Sequence, residues 1–113
     1  MSSYVLIEPL PGTGIAEEKD VAREIREQVI KPALRAGEEV VIDFGKTEIT
    51  TQSFIHALLA DPICRFGDKA VDLLVFRNYT EQIRQIITTV IEYTFMAIEE
   101  GGDPLEEPVG EPS

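Results

Sequence analysis

The chain has 113 residues, of which 43% are hydrophobic and 27% are charged, a composition typical of one small globular domain. Its net charge of −11 disfavours proteins that act through basic surfaces, so we predict no nucleic-acid partner and no membrane binding. A single cysteine, Cys64, excludes an internal disulfide and disfavours a cysteine-type metal site. The first residues do not form a secretion signal, and Glu92 interrupts the longest apolar helix, so we expect a soluble cytoplasmic protein.

The acidic residues are concentrated at the C-terminal end. The segment from Glu99 to Ser113 contains six acidic residues and no lysine or arginine, together with several glycines and prolines. Segments of this composition cannot bury enough apolar surface to fold. We therefore predict a domain over residues 1–98 and a disordered acidic tail over residues 99–113.

The first predicted elements are a strand, a loop and a helix. Apolar residues 4–7 predict a short strand, and the prolines and glycines of residues 9–14 predict a loop. Apolar residues that recur every four positions predict a helix from about residue 17. Pro32 is expected to end or kink this helix near residue 30 or 31, because proline lacks the N–H that the helix requires.

The middle of the chain contains the most apolar strand. Residues 40–44 form a nearly unbroken apolar run, which favours a central parallel strand buried on both faces. Residues 45–52 predict a polar loop, which leads into a second helix. Asp61 and Pro62 are expected to disrupt that helix.

The last two predicted elements are a strand over residues 71–76 and a long helix. Asn78 and Glu81 have the spacing of a capping box at its start. Apolar residues at helical period then continue to Ile98. The resulting βαβαβα order predicts an α/β fold with a largely parallel sheet and right-handed crossovers.

None of the short motifs predicts catalysis. The triplet at residues 43–45 resembles a kinase metal-binding motif, but the other kinase motifs are absent. Residues 12–14 lack the rest of a phosphate-binding loop. His56 and Cys64 are separated by Pro62, which disfavours a nucleophile–base pair. We therefore predict a protein that is not an enzyme and that has no cofactor and no metal.

Three hydroxyl side chains lie just before or at the start of the second predicted helix. They are the main candidate site residues. Thr50, Thr51 or Ser53 could cap that helix. Alternatively, one of them could be a phosphorylation switch, because a helix N-terminus accommodates a phosphate. The predicted partner- or ligand-binding residues at the carboxyl ends of the strands are Asp43, Thr50, Thr51, Gln52, Ser53, Phe54, Arg77 and Asn78.

Asp43 allows two interpretations. As the last polar residue of a buried strand, it can accept hydrogen bonds from backbone N–H groups of the loop that follows. It can also contact a ligand or a partner. The first interpretation is favoured.

Four segments together resemble the STAS-like domains of unknown function, relatives of bacterial anti-sigma-factor antagonists and of sulphate-transporter STAS domains. They are the strand at 40–44, the segment at 49–54, the strand end at 76–78 and the helix from Ile83 onward. The resemblance covers roughly residues 4–95. It implies a STAS-like β–α superhelix with a largely parallel or mixed sheet and helices mainly on one face.

The same resemblance implies a partner and a modification site. The partner would be a GHKL-type ATPase, the fold of anti-sigma kinases and histidine kinases. In the antagonists, such a kinase phosphorylates a serine at the start of the helix that follows the central strand. Ser53 occupies that position when Asp43 and Phe44 are matched to the antagonist strand end, and Phe54 replaces the glycine of the antagonists.

Three hypotheses for function follow. The leading one is a bacterial regulatory module that binds a GHKL-type ATPase or a related signalling protein through residues 45–54. The alternative is a regulatory domain that binds a small molecule or nucleotide through Asp43, Arg77 and Asn78, with Arg77 as the anion ligand. The third is a homodimer that covers the sheet face opposite the helices.

Overall fold

A computed structural model describes residues 2–106 of the chain. The strands of this part are β1 (Ser2–Leu6), β2 (Ile15–Ala16), β3 (Glu39–Asp43), β4 (Ile49–Thr50) and β5 (Leu74–Arg77). The helices are α1 (Lys19–Ile25), α2 (Lys31–Arg35), α3 (Gln52–Phe66), α4 (Asp68–Leu73) and α5 (Glu81–Glu99). A π-helical segment, Arg26–Ile30, joins α1 to α2 without a break.

The main sheet has three parallel strands in the order β1-β3-β5. The register places Val41 of the central strand between Tyr4 and Val75. A second, two-residue parallel pair joins β2 to β4. Because helices connect the three long strands, the predicted α/β fold with a parallel sheet is confirmed.

The helices pack on one face of this sheet. Successive strand residues point to opposite faces. On one face, Val40 and Ile42 are fully buried in a core that includes Leu58 of α3 and Ile87 of α5. On the other face Tyr4 is 60% exposed and Arg77 is exposed, whereas Val41 of the central strand is 7% exposed. The predicted one-sided arrangement of helices is therefore confirmed.

Helix α3 continues through Pro62 to Phe66, so the predicted disruption at Asp61 and Pro62 is wrong. The proline deprives the Leu58 carbonyl of its usual donor. One residue earlier, the Ala57 carbonyl accepts a 3.1 Å hydrogen bond from Arg26 of the neighbouring π-helical segment. The apolar face of α3 is buried along its length, and burial of this kind outweighs a local cost of about 3 kcal/mol.

The first helix also continues past its proline, to Arg35. Immediately before Pro32 the backbone is π-helical, and the Lys31 N–H donates to the Arg26 carbonyl five residues earlier. Pro32 then lies in the first turn of α2, where a missing N–H is tolerated. The predicted end of the helix at residues 30–31 is therefore an irregular helical segment.

The strand predicted at residues 71–76 begins three residues later. Gly67, at φ 61°, ends α3, and the short helix α4 follows at once with Asp68 in its first turn. Ala70 of α4 is buried in the core, which holds this segment in helical form. Packing therefore outweighs the β-propensity of Val71.

The predicted tail begins where α5 ends. The chain turns at residues 100–102, and Pro104 is buried with its carbonyl oxygen 2.9 Å from Nε2 of His56. Residues 99–106 are therefore held against the domain by specific contacts. The remainder of the predicted tail, residues 107–113, lies outside the described residues, and the domain boundary stays a prediction.

An ion pair links Lys31 and Asp61, the residues that immediately precede the two helical prolines. Lys31 Nζ lies 3.0 Å from the Asp61 carboxylate, and these side chains are 11% and 13% exposed. Burial raises the pKa of Asp61, but hydrogen bonds and charges from Lys31 and Arg65 outweigh it and hold that pKa below its ordinary value. The pair thus ties the π-helical region of the first helix to α3.

We predict that Asp61→Asn lowers the free energy of unfolding by about 2 kcal/mol at neutral pH, because a charged hydrogen-bond partner of Lys31 is lost. Urea unfolding should show this loss, whereas Asp72→Asn, at an exposed position, should change stability by less than about 0.5 kcal/mol.

The difference between wild type and Asp61→Asn should also depend on pH. Because the folded-state pKa is lowered, the contribution of Asp61 is present above its unfolded value and is lost as pH falls through the folded value. The difference in stability between the two proteins should therefore begin to shrink below about pH 4 and disappear only below the lowered folded-state pKa. A difference that persists in acid would contradict the ionic origin of the effect.

Candidate functional site

The carboxyl ends of the three long strands meet at the Asp43 carboxylate. One oxygen accepts hydrogen bonds from the Gly45 backbone N–H at 2.8 Å and from Asn78 Nδ2 at 3.0 Å. The other oxygen accepts a hydrogen bond from the Tyr4 hydroxyl. Asp43 is only 9% exposed, and its carboxylate links β1, β3 and the loop after β5. The favoured interpretation of Asp43 as an acceptor for the following loop agrees with this geometry.

These contacts set the charge state of the pair. Hydrogen bonds from Tyr4 and Asn78, followed by the Gly45 N–H and the charge of Arg77, hold the pKa of Asp43 below its ordinary value despite the opposing effect of burial. The same hydrogen bond to Asp43 raises the pKa of Tyr4. Asp43 is therefore a carboxylate and Tyr4 a phenol under ordinary conditions.

Asn78 adopts the left-handed backbone conformation, with φ 57°, which asparagine tolerates better than most residues. Its side-chain amide donates to Asp43, while Arg77 beside it is exposed. Asp43 and Asn78 are thus already bonded to each other. Of the three predicted ligand contacts, Arg77 and Asn78 are exposed and Asp43 is nearly buried.

The loop that follows β3 is fixed at Thr50. The Thr50 hydroxyl donates to the Ala16 carbonyl at 2.9 Å. The side-chain amide of Gln82 accepts from the Thr50 N–H at 3.1 Å and donates to the Thr50 carbonyl at 2.9 Å. This two-point contact mimics strand pairing and attaches the loop to the start of α5.

The same loop is attached to the turn at residues 11–14. The Gly14 carbonyl accepts hydrogen bonds from the N–H groups of Glu48 and Ile49, at 2.8 and 3.2 Å. On the other side, the Thr80 hydroxyl donates to the Glu48 carbonyl at 2.8 Å and also accepts from the Ile83 N–H at the start of α5. The two loops therefore form one firmly held surface.

Helix α3 starts beside this surface and is capped by Thr51. Its hydroxyl accepts a 3.1 Å hydrogen bond from the Phe54 N–H, so Thr51 is the capping residue among the three hydroxyls. Ser53 is the second residue of the helix and is half-buried. A group attached to Ser53 would therefore lie at the positive end of the α3 dipole.

The structure divides the five predicted contact residues at positions 50–54 into two groups by their burial. Thr50, Gln52 and Phe54 are 2%, 9% and 1% exposed, so they support the loop from inside. Thr51 and Ser53 are half-buried. Sequence patterning did not separate these groups, because a polar loop gives no periodic signal for which side chains face inward.

Several residues at the site were missed by the sequence analysis. Ile49 is 47% exposed within an otherwise polar loop, and an apolar residue in that setting was the available signal. Tyr4 and Gln82 act over long sequence separations and gave no local signal. We call the recognition surface the turn at 11–13, Ser53 and the exposed loop residues Gly45, Lys46, Glu48 and Ile49.

His56 and Cys64 are not brought together. They are eight residues apart on one continuous helix, which separates them by about 12 Å along its axis. His56 is 5% exposed and donates from Nε2 to the Pro104 carbonyl, whereas Cys64 is exposed. In the part of the chain that the structure describes, no group of three or more His, Cys, Asp or Glu is placed to hold a metal ion.

The fold and site define a class of protein: an α/β module with a parallel sheet, helices on one face, and a polar edge at the strand ends. The family model of the STAS-like domain of unknown function (DUF4325) matches residues 21–84. The chain belongs to this family, and the resemblance stated from the sequence is confirmed. No curated protein and no solved structure matches the chain. Among residues 2–106, no helix has the length and apolar character needed to span a membrane.

We predict that Phe54→Ala lowers the free energy of unfolding by about 3–5 kcal/mol, because it leaves a cavity in the core. Ile49→Ala should change it by less than about 0.5 kcal/mol, since Ile49 is half-exposed. Urea unfolding of both variants is the measurement. A small effect of Phe54→Ala would show that Phe54 is not a core residue.

We predict that Tyr4→Phe raises the pKa of Asp43 toward its ordinary value, because the largest cause of the lowering is removed. An NMR titration of the Asp43 carboxyl carbon measures this change directly, with Tyr79→Phe, at an exposed tyrosine, as the matched control. An unchanged pKa in Tyr4→Phe would contradict the hydrogen bond.

Proposed function

We propose that the protein is a non-catalytic regulatory module of a bacterial cytoplasm that binds a GHKL-type ATPase or an anti-sigma-type signalling partner through the recognition surface. STAS-like domains are generally non-catalytic regulatory modules, and membership of this family of unknown function supports at most a regulatory, antagonist-like role. The identity of the partner and the site of contact are the finer parts of the proposal. Phosphorylation of Ser53 is proposed as the switch.

One observation supports this proposal most: an exposed isoleucine, Ile49, lies on a loop that hydrogen bonds hold in place. The Ile49 side chain is 47% exposed. Its backbone N–H donates a hydrogen bond to the Gly14 carbonyl, and the N–H of its neighbour Thr50 donates one to Gln82. A loop that is ordered before binding loses little conformational entropy in a complex. Other apolar side chains are also exposed, but Ile49 is the one on this loop, where a partner could bury it.

The position of Ser53 supports a switch at the same surface. Phe54 behind it is fixed in the core, and Thr51 already caps the Phe54 N–H, so the helix start is formed before any modification. The first N–H groups of a helix have no intrahelical acceptor and attract a phosphate. Phosphorylation would thus add about two negative charges at the start of α3, four residues after Ile49 in the chain, without unfolding the helix.

We predict that Ile49→Ala and Ser53→Glu each weaken binding to a purified GHKL-type ATPase domain from the same genome by about tenfold or more. The first removes the apolar anchor and the second adds charge to the contact surface. Isothermal titration calorimetry with the full chain measures both effects.

Two matched variants serve as controls. Val71→Ala shortens another exposed aliphatic side chain, and Thr89→Glu adds a negative charge to an exposed position of α5. Both should bind within about twofold of wild type. If Ile49→Ala and Ser53→Glu both bind the ATPase domain as tightly as wild type does, the recognition surface is not the contact site.

A further inference from the structure

A second site lies in a cleft of about 280 Å³ between α3 and the first helix, lined by residues outside the recognition surface. The charged residues that line it are Arg23, Arg26, Glu27, Lys31, Asp61 and Arg65. The whole chain has ten lysines and arginines and a net charge of −11, so four of its ten cations converge on one cleft. This concentration of positive charge is opposite in sign to the molecule as a whole.

The cations outnumber the carboxylates at the cleft. Four cations and two carboxylates among the lining residues leave two positive charges, and Asp20, which pairs with Arg23 from outside the lining, reduces this excess to one. The carboxylates belong to Glu27 and Asp61, which both contact Lys31 at 3.0 Å. Hydrogen bonds from Arg26 and Lys31 hold the pKa of Glu27 below its ordinary value, and the pKa of Asp61 is lowered as well. Both acids are therefore counted as ionised in this charge balance.

Two of the arginines are held weakly enough to turn toward a ligand. Arg23 pairs with Asp20 at 2.8 Å, but the two side chains are 52% and 90% exposed, and exposed pairs of this kind contribute little. Arg65 is 58% exposed and contacts Asp61 through Nε alone. A guanidinium has further donors, arranged as a fork that matches phosphate and carboxylate.

The remaining walls of the cleft are fixed. Arg26 is anchored by its hydrogen bond to the Ala57 carbonyl and belongs to the π-helical segment, a type of irregularity found frequently at functional sites. The buried ring of His56 lines the cleft and is bonded to the Pro104 carbonyl, while Leu105 borders it from the C-terminal side. The cleft is thus a formed concavity with convergent donors.

We propose that this cleft binds a small anion that carries phosphate or clustered carboxylate groups, with Arg23 and Arg65 as the mobile ligands. Its volume is near the lower limit of small-molecule pockets, so it suits a compact ligand better than a protein surface. Ala57 borders the cleft one helical turn after Ser53 on α3, so an anion bound there would lie beside the start of the recognition surface.

Pyrophosphate and citrate, titrated into the full chain at low ionic strength, test this site. His56 is the only histidine of the chain, so its ring proton signals in NMR report on the cleft without ambiguity. We expect at least one probe to move these signals saturably. The preferred probe then distinguishes a phosphate ligand from a carboxylate ligand.

The double variant Arg23→Gln with Arg65→Gln should weaken this binding by about tenfold or more, because two charged hydrogen-bond donors are removed. The matched control, Arg35→Gln with Arg84→Gln, removes the same charge from exposed helical positions elsewhere and should weaken it by less than about threefold. Equal losses in the two variants would show non-specific attraction and overturn the proposal. A titration in which neither probe moves the His56 signals would also overturn it.

Discussion

The Asp43 carboxylate holds the functional edge of the sheet together. Parallel strands end at one edge, but nothing in strand pairing fixes the loops beyond it. Here Asp43 collects donors from β1, from its own loop and from the residue after β5. Because the carboxylate is nearly buried, it depends on these donors for the hydrogen bonds that water would otherwise supply. Asp43 thus fixes the start of the loop after β3 against β1 and the end of β5, and the contacts of Thr50 and Glu48 hold the rest of that loop.

Much of the fold could be predicted from the sequence because its signals are local. The apolar run at residues 40–44 and the periodic face of α5 gave the central strand and the last helix. The predicted disruption of α3 at Pro62 was wrong, because that prediction considered only the N–H that proline lacks. The burial of α3 on the core, which outweighs that loss, depends on residues distant in sequence. The shifted start of β5 has the same cause, because the burial of Ala70 is a tertiary effect.

The candidate site was predictable in place but not in detail. The rule that parallel strands present their carboxyl ends at one edge predicted that Asp43, Asn78 and the loop after β3 lie together, and they do. Which side chains face outward was not encoded by any period. Gln82 binds the backbone of Thr50 from 32 residues away, and that contact turns the Thr50 side chain inward. Ile49, its neighbour, is consequently the residue left outside.

Helix α3 connects the two proposed sites. Its N-terminus carries Ser53 at the recognition surface, and the next turns carry Ala57 and Asp61 at the basic cleft. The helix is backed by the core along its length and is tied to the first helix through Lys31. An anion that drew Arg65 away from Asp61 would alter the ion pairs that hold this helix in place. Coupling between ligand and partner would then pass through the position of α3, which one rigid element can transmit over three turns.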